Sequence, residues 1–267
     1  MKTGSRSIDE ALARVRAIGS GYVLPQPRAS FVIVCLPRTG SELLVDLLDS
    51  HPDIRCESEL LHDPMRFAPR YLRGRAALAA HRGAQAWGAK IIFHQVSWYP
   101  DRYGPPEAFF ARLARAGVRV VSLSRRNPLD QAISSLQAIE RGRYHYRTDD
   151  AGGHDRLEVA PEALVSMLWT IEEQESARRA ALRGLETVEL VYEDDLAVPE
   201  RQQSTVDGLA TWLGLAPAPV RTTLERRDPL RPADRLADYD TVARTLVTTR
   251  YARLLEEASP GAGSAFD

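Results

Sequence analysis

Arg38, Thr39 and Ser41 surround a glycine in the run Pro37-Arg38-Thr39-Gly40-Ser41, a combination suited to gripping an oxyanion. The guanidinium offers a planar fork of donors to phosphate-type oxygens. The two hydroxyls add donors, and Gly40 lets the backbone come close to a ligand. The apolar, β-branched run Phe31-Val32-Ile33-Val34-Cys35-Leu36 precedes the turn, and Leu43, Leu44, Leu47 and Leu48 follow it at helical spacing. A strand entering a tight turn and then a helix aims N–H groups and the positive helix end at one point, which makes an anion site. Glu42 comes next in the chain. A carboxylate there must point away from the anion or pair with Arg38.

A second such place follows the expected strand 118–123, Val-Arg-Val-Val-Ser-Leu. There the chain reads Ser124-Arg125-Arg126-Asn127-Pro128-Leu129-Asp130, with Ser134 four residues further on. Proline suits the first position of a helix, where its missing N–H is not needed. Arg126 and Ser134 are then about two helical turns apart, so both could converge on one phosphate. Nucleotide kinases use a longer glycine-rich loop ending in Gly-Lys-Ser/Thr. The short loop here has no such lysine, which argues against an ATP γ-phosphate with magnesium.

Several further groups could do chemistry. Glu57 and Glu59 lie two residues apart, so an extended segment would turn both to one side. Lys90 and His94 flank the end of an apolar stretch. Trp87, Trp98, Tyr99 and Tyr103 either line a sugar or aromatic acceptor site or pack as core and rim.

The elements that must position these residues alternate in type. Ser7 and Glu10 form a capping box that predicts a helix over 8–19, closed by Gly19, Gly21, Pro25 and Pro27. Strands are expected at 31–36, 88–93, 118–123 and 187–192, and helices at 106–116, 129–140, 161–183, 201–213 and 239–257. This alternation predicts an α/β fold, a mainly parallel sheet flanked by helices. Ligands in such folds sit beyond the carboxyl ends of strands, where both arginine-bearing turns fall. The segment 141–160 shows no periodicity and is expected to be a long loop, of the kind that often binds ligands. A single domain over 1–267 is expected, with 1–27 as an N-terminal helix and linker.

The bulk properties exclude more than they assign. The chain has 267 residues, 44% hydrophobic and 27% charged, with a net charge of −1, which gives no reason to expect a nucleic-acid or membrane partner. Arginines cluster locally at 125–147 and 221–235. Cys35 and Cys56 suit small core positions, and no ligand cluster suggests a metal. The first ten residues are polar, so a cytoplasmic location is expected.

Together, Pro37-Arg38-Thr39-Gly40-Ser41 and Arg126-Asn127-Pro128-Leu129-Asp130 with Ser134 resemble the two nucleotide-binding motifs of sulfotransferases that use 3′-phosphoadenosine 5′-phosphosulfate (PAPS). Leu43-Leu44, His51-Pro52-Asp53-Ile54 with Glu59, Trp87-Gly88-Ala89-Lys90, Val191-Tyr192-Glu193-Asp194 and Leu224-Glu225-Arg226-Arg227 resemble the bacterial Stf0/NodH-type carbohydrate sulfotransferases. The resemblance implies a P-loop-like sulfotransferase fold and PAPS as co-substrate without a metal. It also implies in-line transfer of a sulfonate group to a hydroxyl of a small-molecule or carbohydrate acceptor. By the same resemblance, the nucleotide would be held by Arg38, Thr39, Gly40, Ser41, Glu42, Arg126, Ser134 and Arg226. Glu59 would be the base, with Glu57 and His94 as alternatives. Lys90 would either contact the sulfonate or acceptor or stand in solvent. The segment 141–160 is the expected acceptor loop, although it matches no motif of that family. Two other readings stay open: a P-loop-like small-molecule kinase, and a nucleotide-binding relative without turnover, to which Glu42 points.

Overall fold

The computed structural model describes residues 3–141, 156–224 and 231–257. The chain forms two compact units. One comprises residues 1–36, 40–124 and 178–222, and the other comprises 37–39, 125–177 and 223–267.

The chain order is α1 (Thr3–Val23), β1 (Ala29–Cys35), α2 (Ser41–Asp49), β2 (Ile54–Glu57), α3 (Ala68–His81), β3 (Ala86–Ile92), α4 (His94–Ser97), α5 (Pro100–Tyr103), α6 (Pro106–Arg115) and β4 (Val118–Ser124). Then come α7 (Pro128–Arg141), α8 (Pro161–Leu182), β5 (Thr187–Val191), α9 (Tyr192–Asp195), α10 (Pro199–Leu213), α11 (Pro232–Arg235), α12 (Tyr239–Val247) and α13 (Arg253–Glu257).

The first unit is built on a sheet of order β2-β3-β1-β4-β5. Its four strand pairings are all parallel. A parallel sheet covered on both faces needs continuous apolar strands rather than alternating ones. β1 is the central strand, and Phe31 through Leu36 are at most 2% exposed. The α/β architecture expected from the alternation of elements is the one observed.

Three local expectations are corrected. α1 starts at Thr3 and runs through Ser7 to Val23, so Ser7 is not its N-cap and Gly19 and Gly21 do not end it. Gly21 serves packing instead. A Cβ on Gly74 of α3 would lie 1.6 Å from the carbonyl oxygen of Ala17, and one on Gly21 would lie 3.1 Å from the Gly74 nitrogen. Small residues let the two helix backbones touch. β2 and α3 were not foreseen, because a four-residue strand and a helix interrupted by glycine carry little periodicity. Helix 239–257 divides into α12 and α13. Between them the hydroxyls of Thr248 and Thr249 bond to the carbonyls of Thr245 and Leu246, both at 2.8 Å, and such local bonds compete with helix.

The second unit has its own core, formed by Leu129, Ala132 and Ile133 of α7, Leu164 and Leu168 of α8, and Val242 and Leu246 of α12. A parallel bridge joins Leu157 to Leu236. Most of the loop expected to bind the acceptor, 142–155, lies outside the described residues. Among the described residues, no helix is long and apolar enough to cross a membrane. Cys35 and Cys56 are buried.

Candidate functional site

The second unit carries a cluster of arginines. Arg38 adopts a left-handed backbone, φ 63°. Such a conformation disfavours a residue with a Cβ and persists only where its surroundings enforce it. The neighbouring carbonyls show the enforcement. Gln131 Nε2 donates to the Pro37 carbonyl at 2.8 Å, and Arg125 Nη1 donates to the Arg38 carbonyl at 3.1 Å. Held this way, Arg38 Nε donates to Ser134 Oγ at 2.9 Å. Two residues 96 positions apart in the chain therefore meet side chain to side chain. The spacing within 126–134 suggested that Ser134 and Arg126 converge on one phosphate, and the arginine bonded to Ser134 belongs to the other motif. Arg126 stands exposed, and Thr39 is buried. Arg226 lies outside the described residues.

Asp130 anchors further arginines. Its backbone N–H donates to Asn127 Oδ1 at 3.1 Å, which starts α7. Its carboxylate faces Arg125 Nη2 at 3.5 Å and Arg235 Nη1 at 3.3 Å. Arg235 also donates to Gln137 Oε1 at 2.9 Å. Burial first, and then the charges of Arg125 and Arg38, hold Arg235 below the usual arginine value against the pull of Asp130. A guanidinium that senses two others marks concentrated positive potential, which favours anions. Sequence reasoning missed Arg235 and Gln131. The arginine cluster at 221–235 was a signal for Arg235. Gln131 directly follows the second motif, but nothing in its type marked it.

The first unit carries the carboxylates. Gly40 caps α2 with φ 81°. A Cβ there would lie 2.3 Å from Cδ2 of the Tyr192 ring, so the close approach that this glycine permits includes its own protein. Ser41 opens α2 and is buried. Glu42, in the first turn, does not leave its charge unbalanced. Its Oε1 takes the Lys90 ammonium and accepts Ser58 Oγ–H at 2.8 Å. Lys90 is 1% exposed on β3, which rules out the solvent-edge reading of this lysine. It also donates to Glu59 Oε1 at 2.9 Å.

Glu57 and Glu59 do not face the same way. Glu57 ends β2, where Oε1 accepts the Trp87 indole N–H at 3.3 Å and Oε2 pairs with Arg75 at 2.7 Å. Glu59 lies in a turn with φ 26°, which breaks the two-residue alternation. Its Oε2 accepts from Gln95 Nε2 at 2.9 Å, a partner that no motif had indicated. Arg38 and Glu59 are the two non-glycine residues with positive φ among the described residues. Both had been singled out from the sequence.

The aromatic residues divide. Trp87 and Tyr103 are core, at 1% and 2% exposure, whereas Trp98 and Tyr99 are exposed. His94 stacks on Trp98 with ring centroids 4.4 Å apart. Burial, assisted by His62, lowers the pKa of His94 despite the nearby Glu59.

Burial alone would lower the pKa of Lys90, but Glu42, Cys35 and Glu59 reverse this and hold it above the ordinary lysine value. The sign is then fixed. The stabilisation is complete below the unfolded lysine value of about 10.4 and is lost as pH rises through the higher folded value. Lys90→Met is expected to destabilise the protein by about 3 kcal/mol near neutral pH, because it leaves two carboxylates without their shared cation. Urea unfolding at neutral and strongly alkaline pH checks both statements, and the difference between variant and wild type should shrink at the alkaline end.

Residues 30–116 match the model of the Sulfotransferase family. The chain is 26% identical over 251 residues to Nodulation protein H of Rhizobium tropici, covering 88% of this chain and 96% of that protein. Nodulation protein H of Rhizobium meliloti (strain 1021) is 26% identical over 255 residues, with 88% and 97% covered. Among solved structures, the chain is similar to a sulfotransferase from Alicyclobacillus acidocaldarius, with TM-score 0.44, 16% identity and coverage of 88% and 95%. It is also similar to mouse sulfotransferase SULT7A1 complexed with PAP, with TM-score 0.41, 10% identity and coverage of 91% and 94%. Through residues 30–116 the chain matches the model of the sulfotransferase family, and over most of its length it is similar to Nodulation protein H.

Proposed function

We propose that this protein transfers a sulfonate group from PAPS to a hydroxyl of a small-molecule or carbohydrate acceptor. The observation that carries the reading is the 2.9 Å hydrogen bond from Arg38 to Ser134, which joins the two motifs. A fork of guanidinium donors beside a hydroxyl, with Arg125 and Arg235 gathered around Asp130, suits a phosphate group. In this reading Arg38 and Ser134 hold the nucleotide, with Arg126 as a further phosphate contact. Thr39, Gly40 and Ser41 present the backbone and hydroxyls of the loop.

When bound, PAPS supplies the sulfonate: the acceptor oxygen bonds to sulfur as the bond from sulfur to the phosphate oxygen breaks. The protein's own work is positioning, charge stabilisation and proton removal. Glu59 takes the acceptor's proton. Lys90 balances Glu59 and Glu42, so Glu42 is compatible with an anion bound at the adjacent loop. This weakens the case for a relative without turnover, to which Glu42 had pointed.

The test is a mass-spectrometric screen of alcohols, phenols and sugars, phenol and methyl glucoside among them, incubated with PAPS. The expected result is a product heavier by one SO₃ group, with release of 3′-phosphoadenosine 5′-phosphate. Intact PAPS throughout, together with tighter binding of magnesium–ATP than of 3′-phosphoadenosine 5′-phosphate, would overturn the reading in favour of a kinase.

A further inference from the structure

We infer that Gln95 is a positioning residue that fixes the carboxylate of Glu59, an assignment that rests on the sulfonate-transfer reading above. Gln95 is on α4, three residues beyond the end of β3, and is 4% exposed. Its side chain is aligned at one end by the backbone. Oε1 accepts the Ile92 N–H at 3.2 Å, so the amide oxygen is committed to that donor. The NH₂ group must then face the other way, where Nε2 meets Glu59 Oε2 at 2.9 Å. The other oxygen of Glu59 accepts from Lys90 Nζ at 2.9 Å. Each oxygen of the carboxylate thus has its own donor, one from β3 and one from the helix that follows it.

Glu59 needs this support. It stands in a turn at φ 26°, outside any helix or strand, and its side chain is 30% exposed. Unsupported, the carboxylate would sample several rotamers. With one donor on each oxygen, its plane is set, and each oxygen keeps further lone-pair capacity for an acceptor hydroxyl. A 1 Å misplacement of a reacting group can lower a rate by about 100-fold, so such alignment matters for turnover.

The amide is also the right chemistry at this position. The titratable groups around it are Glu59 itself, Lys90, Glu42 beyond Lys90, Cys35 beside Lys90, and His94 and His62. Glutamine donates to a carboxylate at every pH. A glutamate there could donate only while protonated, and once ionised it would face Glu59 as a like charge.

The test compares kcat against pH for wild type, Gln95→Leu and Gln95→Glu, with PAPS and phenol or methyl glucoside as probes. Affinity for 3′-phosphoadenosine 5′-phosphate and the unfolding midpoint are measured alongside. Gln95→Leu is expected to lower kcat by about 10–100-fold with KM for PAPS and nucleotide affinity unchanged. Gln95→Glu keeps the acceptor for Ile92 and carries the test if the leucine variant folds poorly. Its activity should be best at acid pH and fall as pH rises, opposite to the wild-type trend, a reversal that packing alone would not produce. Wild-type kcat and profile shape in Gln95→Glu, with an active wild type, would overturn the role of Gln95 and leave the proposed function standing. A wild type that leaves PAPS intact across the whole acceptor panel and binds magnesium–ATP more tightly than 3′-phosphoadenosine 5′-phosphate would overturn both.

Discussion

Glu59→Gln should lower turnover by about two to four decades while leaving the affinity for 3′-phosphoadenosine 5′-phosphate unchanged. The substitution keeps the shape of the side chain and removes its basicity. Lys90 loses one carboxylate partner but retains Glu42, so the ammonium is not stranded. The nucleotide contacts proposed here come from Arg38 and Ser134, which the change does not touch. Single-turnover rates with PAPS measure the chemical step, and calorimetry measures the nucleotide. A near-normal rate would move the base role elsewhere, and the structure ranks the alternatives. Glu57 is already held by the Trp87 indole and by Arg75. His94, neutral in its half-buried place near Glu59, is the next residue to change.

What could be read from the sequence, and what could not, follows from the range of the interactions. β1 and β4 were legible because their buried stretches are rich in β-branched apolar residues, and their register brings Ile33 opposite Val121. The connection from β1 to α2 was legible because an apolar strand, a glycine and leucines at helical spacing follow one another. The meeting of Arg38 with Ser134 was half legible. Both residues were named, but local spacing favoured a partner eight positions away over one 96 positions away. The alternation rule misjudged Glu57 and Glu59 because β2 stops between them. Gln95 gave no signal at all, since its importance comes from a backbone N–H and a carboxylate 36 residues distant. The same holds for Arg178, buried on α8, whose Nη1 donates to Ser122 Oγ at 2.6 Å. Ser122 in turn donates to Glu189 at 2.5 Å. Within the charge-rich sequence of α8, nothing distinguishes Arg178 from the surface arginine beside it.

Arg38→Gly should weaken binding of 3′-phosphoadenosine 5′-phosphate by about 2–3 kcal/mol, the scale for losing a charged hydrogen bond, with little change in stability. The two effects separate because the backbone and the side chain of Arg38 want different things. At φ 63° a residue with a Cβ is disfavoured, and glycine is not. The relief is about 1–2 kcal/mol. Glycine gives part of it back, about 0.4–1 kcal/mol, through the greater freedom of the unfolded chain. Arg38→Ala should lose the same affinity without relief of the strain, and so be less stable than the glycine variant by about 1 kcal/mol. Arg38→Lys should bind weakly as well, since a lysine cannot offer one N–H to Ser134 and a planar pair to a phosphate together. Calorimetry of the nucleotide and urea unfolding of the three variants check this. Unchanged affinity in the glycine and alanine variants would remove Arg38 from the site. Folding alone favours glycine at this turn, and the proposed nucleotide contact supplies a reason for a guanidinium held there against its own backbone.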